Sequence, residues 1–456
     1  MSTTSEQLAS GTASFRQRHR GEIVQPGDDG YDAARAVWNG MIDRRPALIA
    51  RCADTVDVAA AVRFAGEQGL GVAVRGGGHN AAGLAVADGA LVVDLSAMNA
   101  VEVDPRQRTA TAGGGTTWGV FDAATQAHGL ATTGGAISTT GIAGLTLGGG
   151  IGWLMRSYGL ACDNLIAAEV VTADGTIVTT SEAENPDLLW GLRGGGGNFG
   201  VVTKFTFRLH PVDTVLAGLI VHPIERAPEV LRFYRAYTAS APDSVTAFAG
   251  LLHTPDGMPV TAVIVCATGP LAEAEKALKP LREFGPPLAD EVAPMPYAAV
   301  QQMLDAGFPS GLQVYWRSHF LTDLGDDAIA KLAAGYGQVT SPLSAVVVEH
   351  LGGAVARIDR NATAFDHRDA EYNLAIIARW PEPAMADAGI AWTRQLYDAM
   401  TPHARGVYVN YLGVGESQDR VRAAYGDEKY ARLVDLKNRY DPTNVFRYNQ
   451  NIKPSV

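Results

Sequence analysis

Four glycine-rich loops within the first 200 residues could bind a phosphate-bearing ligand. The loops are residues 76–78, 113–115, 148–150 and 194–197. Glycine leaves backbone N–H groups uncovered, and N–H groups presented by such loops bind pyrophosphate. A tight turn would explain any one loop alone, whereas four loops in one region favour a single long ligand. The first loop also carries a cation, Arg75, and an imidazole, His79, in the sequence RGGGHN.

Another set of side chains could transfer a proton or bind a polar substrate. Glu349 lies in the apolar run VVVEHLGG, where a carboxylate is rarely buried without a function. Its neighbour His350 would point to the opposite face of a strand and is expected to be structural. Tyr408 and Asn410 alternate in the sequence YVNY, so a strand would place both on one face. Tyr408 could act as a phenol base if a neighbouring group lowers its pKa, although a tyrosine that simply packs in a strand would look the same.

Other chemistries find little support in the sequence. Tyr315, Arg317 and His319 alternate along a further predicted strand and either contact substrate or form an ordinary sheet face.

There is no GxSxG motif of a serine hydrolase, and neither HExxH nor a cluster of His and Asp predicts a metal site. Residues 195–200, GGGNFG, satisfy the dinucleotide pattern GxGxxG, but a predicted helix precedes them and a strand follows. A Rossmann site requires the reverse order, so we reject it.

Composition and charge exclude several classes of partner. The chain has 456 residues, of which 47% are hydrophobic, and carries a net charge of −11. No run of basic residues offsets this charge, so we expect no nucleic-acid partner. No stretch of about 18 apolar residues occurs and the N-terminus lacks an apolar signal segment, so we expect no membrane partner. Three well-separated cysteines predict a reducing, cytoplasmic location and no disulfide framework.

Two kinds of folded region must position these residues. Residues 45–75 predict a strand–helix–strand unit capped by Asp54 or Thr55. Two hairpins follow, over 101–112 and 168–181, and the run VVTKFTFRL predicts a last strand before residue 212. Beyond that point strand-like runs alternate with amphipathic helices, which favours an antiparallel sheet with helices on one face. The sequence therefore predicts an α+β fold.

Five motifs together resemble one known family. They are RGGGHN, GLTLGGGIG, YGLACDNL, WGLRGGGGNFGVVTKF and the ending YDPTNVF with NQNI. With them the sequence resembles the vanillyl-alcohol-oxidase superfamily, and within it the berberine-bridge-enzyme-like FAD oxidases, closest to their bacterial 6-hydroxynicotine-oxidase-like branch. The resemblance covers nearly the whole chain and is loose between about residues 215 and 400.

The resemblance implies a two-domain flavoprotein. A split FAD-binding domain of two α/β subdomains would comprise residues 1–212 and, as a C-terminal return, residues 405–456. Residues 213–404 would form a substrate domain, an antiparallel sheet covered by helices that roofs the flavin ring.

The resemblance also implies which residues bind FAD. His79 occupies the position that in the family bonds covalently to the 8α-methyl carbon of the flavin, which prevents cofactor loss and raises the flavin potential. Relatives with a second attachment use a cysteine in G-x-C-x-T-x-G, but here that position holds Ile137, and the nearest cysteine, Cys162, lies in another motif. Attachment through His79 alone is therefore expected. Thr140 falls where the family controls access of dioxygen. The remaining expected cofactor residues are Arg75, Gly76, Gly77, Gly78, Asn80, Gly141, Gly144, Gly149, Gly150, Val202, Asn449 and Asn451.

The function implied by the resemblance is oxidation of a small molecule. An FAD oxidase would remove a hydride from a C–H bond next to a hydroxyl or amine and pass the electrons to dioxygen, giving hydrogen peroxide. The expected catalytic residues are Glu349, above the flavin, with Tyr408 and Asn410 facing it. Two alternatives stay open, a dehydrogenase with another electron acceptor and a flavin-bearing binding protein without turnover. The expected partners are a small-molecule substrate and dioxygen, and the sequence leaves the oligomeric state open.

Overall fold

The computed structural model describes residues 5–413 and 415–455, in which helices and sheets combine as the predicted α+β class requires. The strands before residue 212 are β1 (Glu22–Val24), β2 (Leu48–Arg51), β3 (Val72–Arg75), β4 (Leu91–Asp94), β5 (Val101–Asp104), β6 (Thr109–Gly113), β7 (Leu130–Ala131), β8 (Leu165–Val171), β9 (Ile177–Ser181), β10 (Val201–Arg208) and β11 (His210–Pro211). The helices of this part are α1 (Ser5–Arg18), α2 (Tyr31–Arg35), α3 (Thr55–Gln68), α4 (Trp118–Gln126), α5 (Ile142–Leu147), α6 (Met155–Tyr158) and α7 (Pro186–Leu192).

The middle of the chain alternates strands with helices, as predicted. Its strands are β12 (Thr214–Pro223), β13 (Val245–His253), β14 (Pro259–Ala267), β15 (Ala289–Asp290), β16 (Ala293–Pro296), β17 (Gln313–Leu321), β18 (Ala345–His350), β19 (Tyr372–Trp380) and β20 (Ala404–Gly406). Its helices are α8 (Ala227–Thr238), α9 (Leu271–Arg282), α10 (Tyr297–Gln302), α11 (Asp326–Tyr336), α12 (Ala354–Arg357) and α13 (Ala386–Met400), and the C-terminal part adds α14 (Gln418–Ala423) and α15 (Asp427–Tyr440).

The first sheet has the strand order β1-β2-β4-β3, in which β2, β4 and β3 run parallel. Helix α3 connects β2 to β3, and its N-terminus is capped by Asp54, whose side chain accepts a hydrogen bond from the backbone N–H of Asp57. Strand β3 ends at Arg75, so the RGGGH loop starts where a parallel strand ends. This edge of a parallel sheet commonly binds ligands.

The second sheet is antiparallel, with the order β5-β6-β10-β8-β9. Both predicted hairpins, β5–β6 and β8–β9, are present. The second hairpin turns at Gly175, whose φ of 78° explains the Asp-Gly pair.

The third sheet has the order β15-β12-β14-β13-β18-β19-β17-β20, with β16 also paired to β12. Helices α8, α9, α11 and α13 cover one of its faces through a core that includes Tyr234, Leu278, Ile329 and Trp392. The short helices α6 and α10 pack against part of its other face, and the remaining part points towards the glycine loops, with Phe248 and Ile264 among its side chains. No helix in the described part of the chain has the length and apolar composition needed to cross a membrane.

The chain leaves this sheet after β20 and returns to the first part of the fold. Tyr408 and Asn410 were expected on a strand, and this expectation is wrong: Val409–Tyr411 form one turn of 3₁₀-helix. The N–H group of Tyr411 donates to the carbonyl of Tyr408, a local bond that replaces pairing with a neighbouring strand. The turn nevertheless brings the Tyr408 and Asn410 side chains together, 2.9 Å apart.

A buried ion pair fastens the returning segment. Lys437 in α15 and Asp441 are both fully buried, and their charged groups lie 2.6 Å apart. The Lys437 ammonium also donates to the carbonyls of Asn198 and Phe446, at 2.9 and 3.0 Å. The carboxylate of Asp441 accepts from the backbone N–H groups of Val445 and Phe446. The pair therefore links the loop at residue 198 to the segment that follows α15.

We expect Lys437→Met to lower the free energy of unfolding by about 3–5 kcal/mol, because it leaves the Asp441 carboxylate buried without its cation. Urea unfolding followed by circular dichroism measures the loss. The control is Lys204→Met, since Lys204 forms a more exposed pair with Glu169 and should cost less than about 1 kcal/mol. Equal midpoints for the two variants would contradict this role of Lys437.

Candidate active site

A cavity of about 570 Å³ lies between the glycine loops and the face of the third sheet opposite helices α8, α9, α11 and α13. Its walls are mostly apolar, and its size is in the range of small-molecule and cofactor sites. The first part of the fold, the sheet and the C-terminal return all contribute residues, from Val72 to Gln450. Among the described residues, no group of three or more His, Cys, Asp or Glu side chains could hold a metal ion.

Glycines form the wall on the side of the first two sheets. Gly76, Gly77 and Gly78 lie opposite Gly141, and a Cβ atom on Gly77 would come within 2.5 Å of the Gly141 nitrogen. A Cβ atom on Gly144 would instead meet no atom within 4 Å, so this glycine leaves room for a ligand. The structure therefore requires glycine at position 77 for close backbone approach.

Other residues of this wall also suit a long polar ligand. Val202 and Asn80 line the cavity, as does Asn449, whose buried Oδ1 has no hydrogen-bond partner among the described residues. A buried polar atom of this kind calls for a donor from a bound group. FAD, with its diphosphate, ribose and ring systems, suits a cavity that combines backbone donors, asparagines and apolar walls.

His79 lies at the tip of its loop and lines the cavity. Its imidazole stacks on the Trp38 indole, with ring centroids 4.4 Å apart and planes 17° apart, and its Nε2 lies 3.3 Å from the Thr139 hydroxyl. Burial lowers the pKa of His79 to about 4. The ring is therefore neutral at pH 7 and keeps a nucleophilic nitrogen.

Ile137 and Cys162 are the two residues that bear on a second covalent bond to the flavin, and they lie in different places. Ile137 lines the cavity, as does Thr140 nearby. Cys162 is fully buried outside the cavity lining, with its sulfur 3.7 Å from an Asp163 oxygen, and burial raises the pKa of its thiol well above the usual value. A thiol so placed is protonated and cannot reach a ligand in the cavity.

A buried carboxylate forms the polar centre of the sheet wall. Glu349 on β18 is only 6% exposed. Its Oε2 accepts from the Asn373 amide at 2.5 Å, and its Oε1 accepts from the Tyr411 hydroxyl at 3.0 Å. Burial raises the pKa of Glu349 to about 7, an effect that these two donors partly oppose. Glu349 and Tyr411 both line the cavity, so a proton can pass between them beside a bound substrate.

Asn410 lines the cavity, but Tyr408 does not. The Tyr408 side chain is 1% exposed, and its hydroxyl accepts hydrogen bonds from the Gly150 N–H at 2.8 Å and the Asn410 amide at 2.9 Å. The Asn410 amide also donates to the Leu145 carbonyl. Burial raises the pKa of Tyr408, whereas a role as phenol base would require a neighbouring group to lower it. Tyr408 therefore holds Asn410 and the glycine loop in place, and of the two tyrosines in the YVNY segment it is Tyr411 that lines the cavity.

Several expected cofactor residues act behind the cavity wall. Arg75 donates to the Asp94 carboxylate at 2.6 Å and to the Ala36 carbonyl, and thereby fixes the start of the RGGGH loop. Gly149 and Gly150, which were expected to bind the cofactor, are not among the residues that line the cavity; a Cβ atom on Gly149 would meet Phe365, and one on Gly150 would meet Ala161. Asn451 is also absent from the cavity lining, which reaches Gln450.

The alternation of the strands decides which sheet residues face the cavity. Trp316 on β17 lines it, whereas Tyr315 lies in the helix-covered core and His319 stacks on Tyr397 of α13. Of the two interpretations of Tyr315, Arg317 and His319, an ordinary sheet face is the correct one. His350 points away from the cavity and lies 3.2 Å from Arg156, which agrees with a structural role.

Sequence reasoning missed four residues of this site: Trp38, Trp316, Asn373 and Tyr411. The register could have revealed Asn373, since it lies opposite Glu349 on the neighbouring strand. Side chains alternate between the two faces of a strand, and Trp316 occupies a position of β17 whose side chain faces the cavity. Tyr411 is the last residue of the YVNY motif. Nothing in the local sequence marks Trp38, which meets His79 only through the tertiary fold.

Comparison with known proteins agrees with this geometry. Residues 46–181 match the family profile described as FAD binding domain, and residues 407–453 match the profile described as berberine and berberine like. The (R)-6-hydroxynicotine oxidase of Paenarthrobacter nicotinovorans is 34% identical, with 95% of this chain and 97% of that protein covered. An FAD-linked oxidoreductase of Dictyostelium discoideum is 32% identical, with 96% of both chains covered.

A solved structure extends the likeness to three dimensions. The crystal structure of 6-hydroxy-D-nicotine oxidase from Arthrobacter nicotinovorans matches with a TM-score of 0.87 at 32% identity, covering 96% of this chain and 98% of that one. Relatives above 30% identity thus span nearly the whole sequence, and the fold is shared over the same length. The protein therefore belongs to the berberine-bridge-enzyme-like FAD-linked oxidoreductases of the vanillyl-alcohol-oxidase superfamily.

Proposed function

We propose that the protein is an FAD oxidase that removes a hydride from a carbon bearing a hydroxyl or amine in a small molecule, with dioxygen as the electron acceptor. The observation that carries the proposal is the Tyr411–Glu349 pair, a proton acceptor in the wall of a cavity that the FAD-binding loops share. A binding protein without turnover would not need a carboxylate buried at this cost.

The chemistry that FAD supplies when bound is acceptance of a hydride from carbon and later transfer of two electrons and two protons to dioxygen. The chain's own residues manage the substrate proton. Because the Tyr411 hydroxyl donates to Glu349, its oxygen keeps lone pairs that can accept the hydroxyl or amine proton of the substrate. As that proton arrives on the Tyr411 oxygen, the original phenol proton passes to Glu349. Asn373 holds the carboxylate in position through its second oxygen.

We further propose that FAD is attached through His79 alone and that the enzyme works in the cytoplasm. A neutral, cavity-facing imidazole at His79, an isoleucine at position 137 and a remote Cys162 support single attachment. All three cysteines are buried and free, which fits a reducing compartment.

The choice between oxidase and dehydrogenase is tested by the fate of the electrons. With one accepted alcohol or amine substrate in air-saturated buffer, we expect hydrogen peroxide in a one-to-one ratio to substrate oxidised. The same assay with a redox dye under nitrogen provides the comparison. Rapid dye reduction combined with negligible peroxide formation would identify a dehydrogenase instead.

We expect acid-precipitated wild-type protein to retain its yellow colour and His79→Ala to release all flavin into the supernatant, because the imidazole nitrogen is the only linking atom. Absorbance near the flavin maximum of pellet and supernatant measures the partition. Cys162→Ala is the matched control and should keep the flavin in the pellet. Release of flavin from Cys162→Ala, or retention in His79→Ala, would contradict single attachment.

We expect Tyr411→Phe and Glu349→Gln each to slow anaerobic flavin reduction about 10²- to 10⁴-fold, because either change removes the route for the substrate proton. Stopped-flow absorbance measures the limiting rate. Tyr408→Phe is the comparison, because it removes a phenol that does not reach the cavity and should slow reduction far less. A large effect of Tyr408→Phe with little effect of Tyr411→Phe would return the role of base to Tyr408.

The same rate should depend on pH in a direction set by Glu349. Its pKa is raised to about 7, so below that pH the carboxyl is protonated and cannot accept the proton from Tyr411. The limiting reduction rate in wild type should therefore rise with pH through a single ionisation near 7. Glu349→Gln should lose this ionisation. A reduction rate that falls as the pH rises through 7 would contradict the assignment.

A further inference from the structure

Arg379 on β19 is a buried cation in the cavity wall. It is 7% exposed and lines the cavity at the end of the sheet remote from Glu349. Its neighbour Ser344, at the start of β18, lines the same end, and its hydroxyl accepts a hydrogen bond from the Arg379 backbone N–H at 3.1 Å. An arginine facing the interior of an enzyme is costly unless an anion or several acceptors compensate its charge.

The surroundings of Arg379 provide little compensation. Within the described residues no carboxylate lies within 4 Å of its guanidinium group, and its Nε has no hydrogen-bond partner. One terminal nitrogen donates to the carbonyl of Gly307, and the guanidinium stacks over the Phe308 ring at 4.2 Å. These contacts fix the direction of the group without neutralising it. Burial lowers the pKa of Arg379 to about 10, which still leaves it charged at pH 7.

The stretch of wall between Arg379 and the proton-accepting pair is apolar. Alternate positions of β19 and β18 face the cavity here, namely Ala375, Ile377, Ala345 and Val347, with Trp316 beside them. Asn373, opposite Glu349, precedes Arg379 by six residues on the same strand. At about 3.3 Å per residue this separates the two polar ends by roughly 20 Å along the backbone, a distance that the side chains shorten.

We propose that Arg379 binds an anionic group of the substrate, so that the enzyme acts on molecules carrying a carboxylate or similar oxyanion separated by an apolar body from the carbon that is oxidised. This inference rests on the proposed function for the position of the oxidised carbon. The planar guanidinium, already stacked and oriented, suits a two-point contact with a carboxylate. The apolar wall accommodates the spacer, and the Tyr411–Glu349 pair receives the proton at the other end.

The test measures binding, without turnover, of phenylacetate, 4-phenylbutyrate and 6-phenylhexanoate against the matched uncharged amides. Changes in the visible flavin spectrum of the oxidised holoenzyme give the dissociation constants. We expect wild type to bind at least one of the acids about 10- to 100-fold more tightly than its amide, as a charge-assisted hydrogen bond to a buried group provides. Arg379→Gln should abolish this preference, and Arg379→Lys should retain part of it.

Arg394→Gln is the matched control, because Arg394 contacts Tyr315 on the helix-covered face and its loss should leave the preference unchanged. Equal affinity of wild type for every acid and its amide would overturn the proposal without any variant. Persistence of the preference in Arg379→Gln would overturn it as well. Failure of both Arg379→Gln and Arg379→Lys to incorporate FAD during expression would show that the cofactor diphosphate is the anion, which also overturns it. Peroxide assays test the proposed function independently of this binding test. An oxidase could show no preference for the acids, and a protein without turnover could still show one.

Discussion

The cavity-facing side of the third sheet is the constraint on which the rest of the structure depends. Helices α8, α9, α11 and α13 cover the other face, so the strands have one apolar surface that needs a second partner. The first part of the fold provides that partner, but its glycine loops cannot fill the space with side chains. The gap becomes the cavity, and a flavin cofactor can complete the packing that the chain leaves unfinished.

This arrangement explains why a few polar groups dominate the site. The cavity walls are mostly apolar, so each buried charge experiences little screening from water. Burial consequently brings the pKa of Glu349 to about 7 and keeps the His79 imidazole neutral at pH 7. Arg379 stays charged, and few neighbouring groups compensate its charge. A low local polarity makes an unpaired buried polar group destabilising. It also strengthens the hydrogen bond that such a group forms with a bound substrate.

The elements and their order could be predicted from the sequence because they depend on local patterns. Hydrophobic periodicity, the Asp54 cap and the turn at Gly175 each act over a few residues, and the structure confirms them. The segment of Tyr408 could not be predicted in this way. Its YVNY pattern fits a strand, but local bonds and the contact of Asn410 with Leu145, far away in sequence, select a 3₁₀ turn. Pairings such as Trp38 with His79 likewise exist only in the folded chain.

The fastening of the C-terminal return by Lys437 and Asp441 has a consequence for biosynthesis. Residues that line the cavity are distributed from Val72 to Gln450, and the return adds Asn410, Tyr411 and Asn449 only after the third sheet has been translated. A nascent chain still held at the ribosome before those residues emerge has half a cofactor site and cannot enclose the flavin. The flavin can therefore be enclosed only after this segment has been translated.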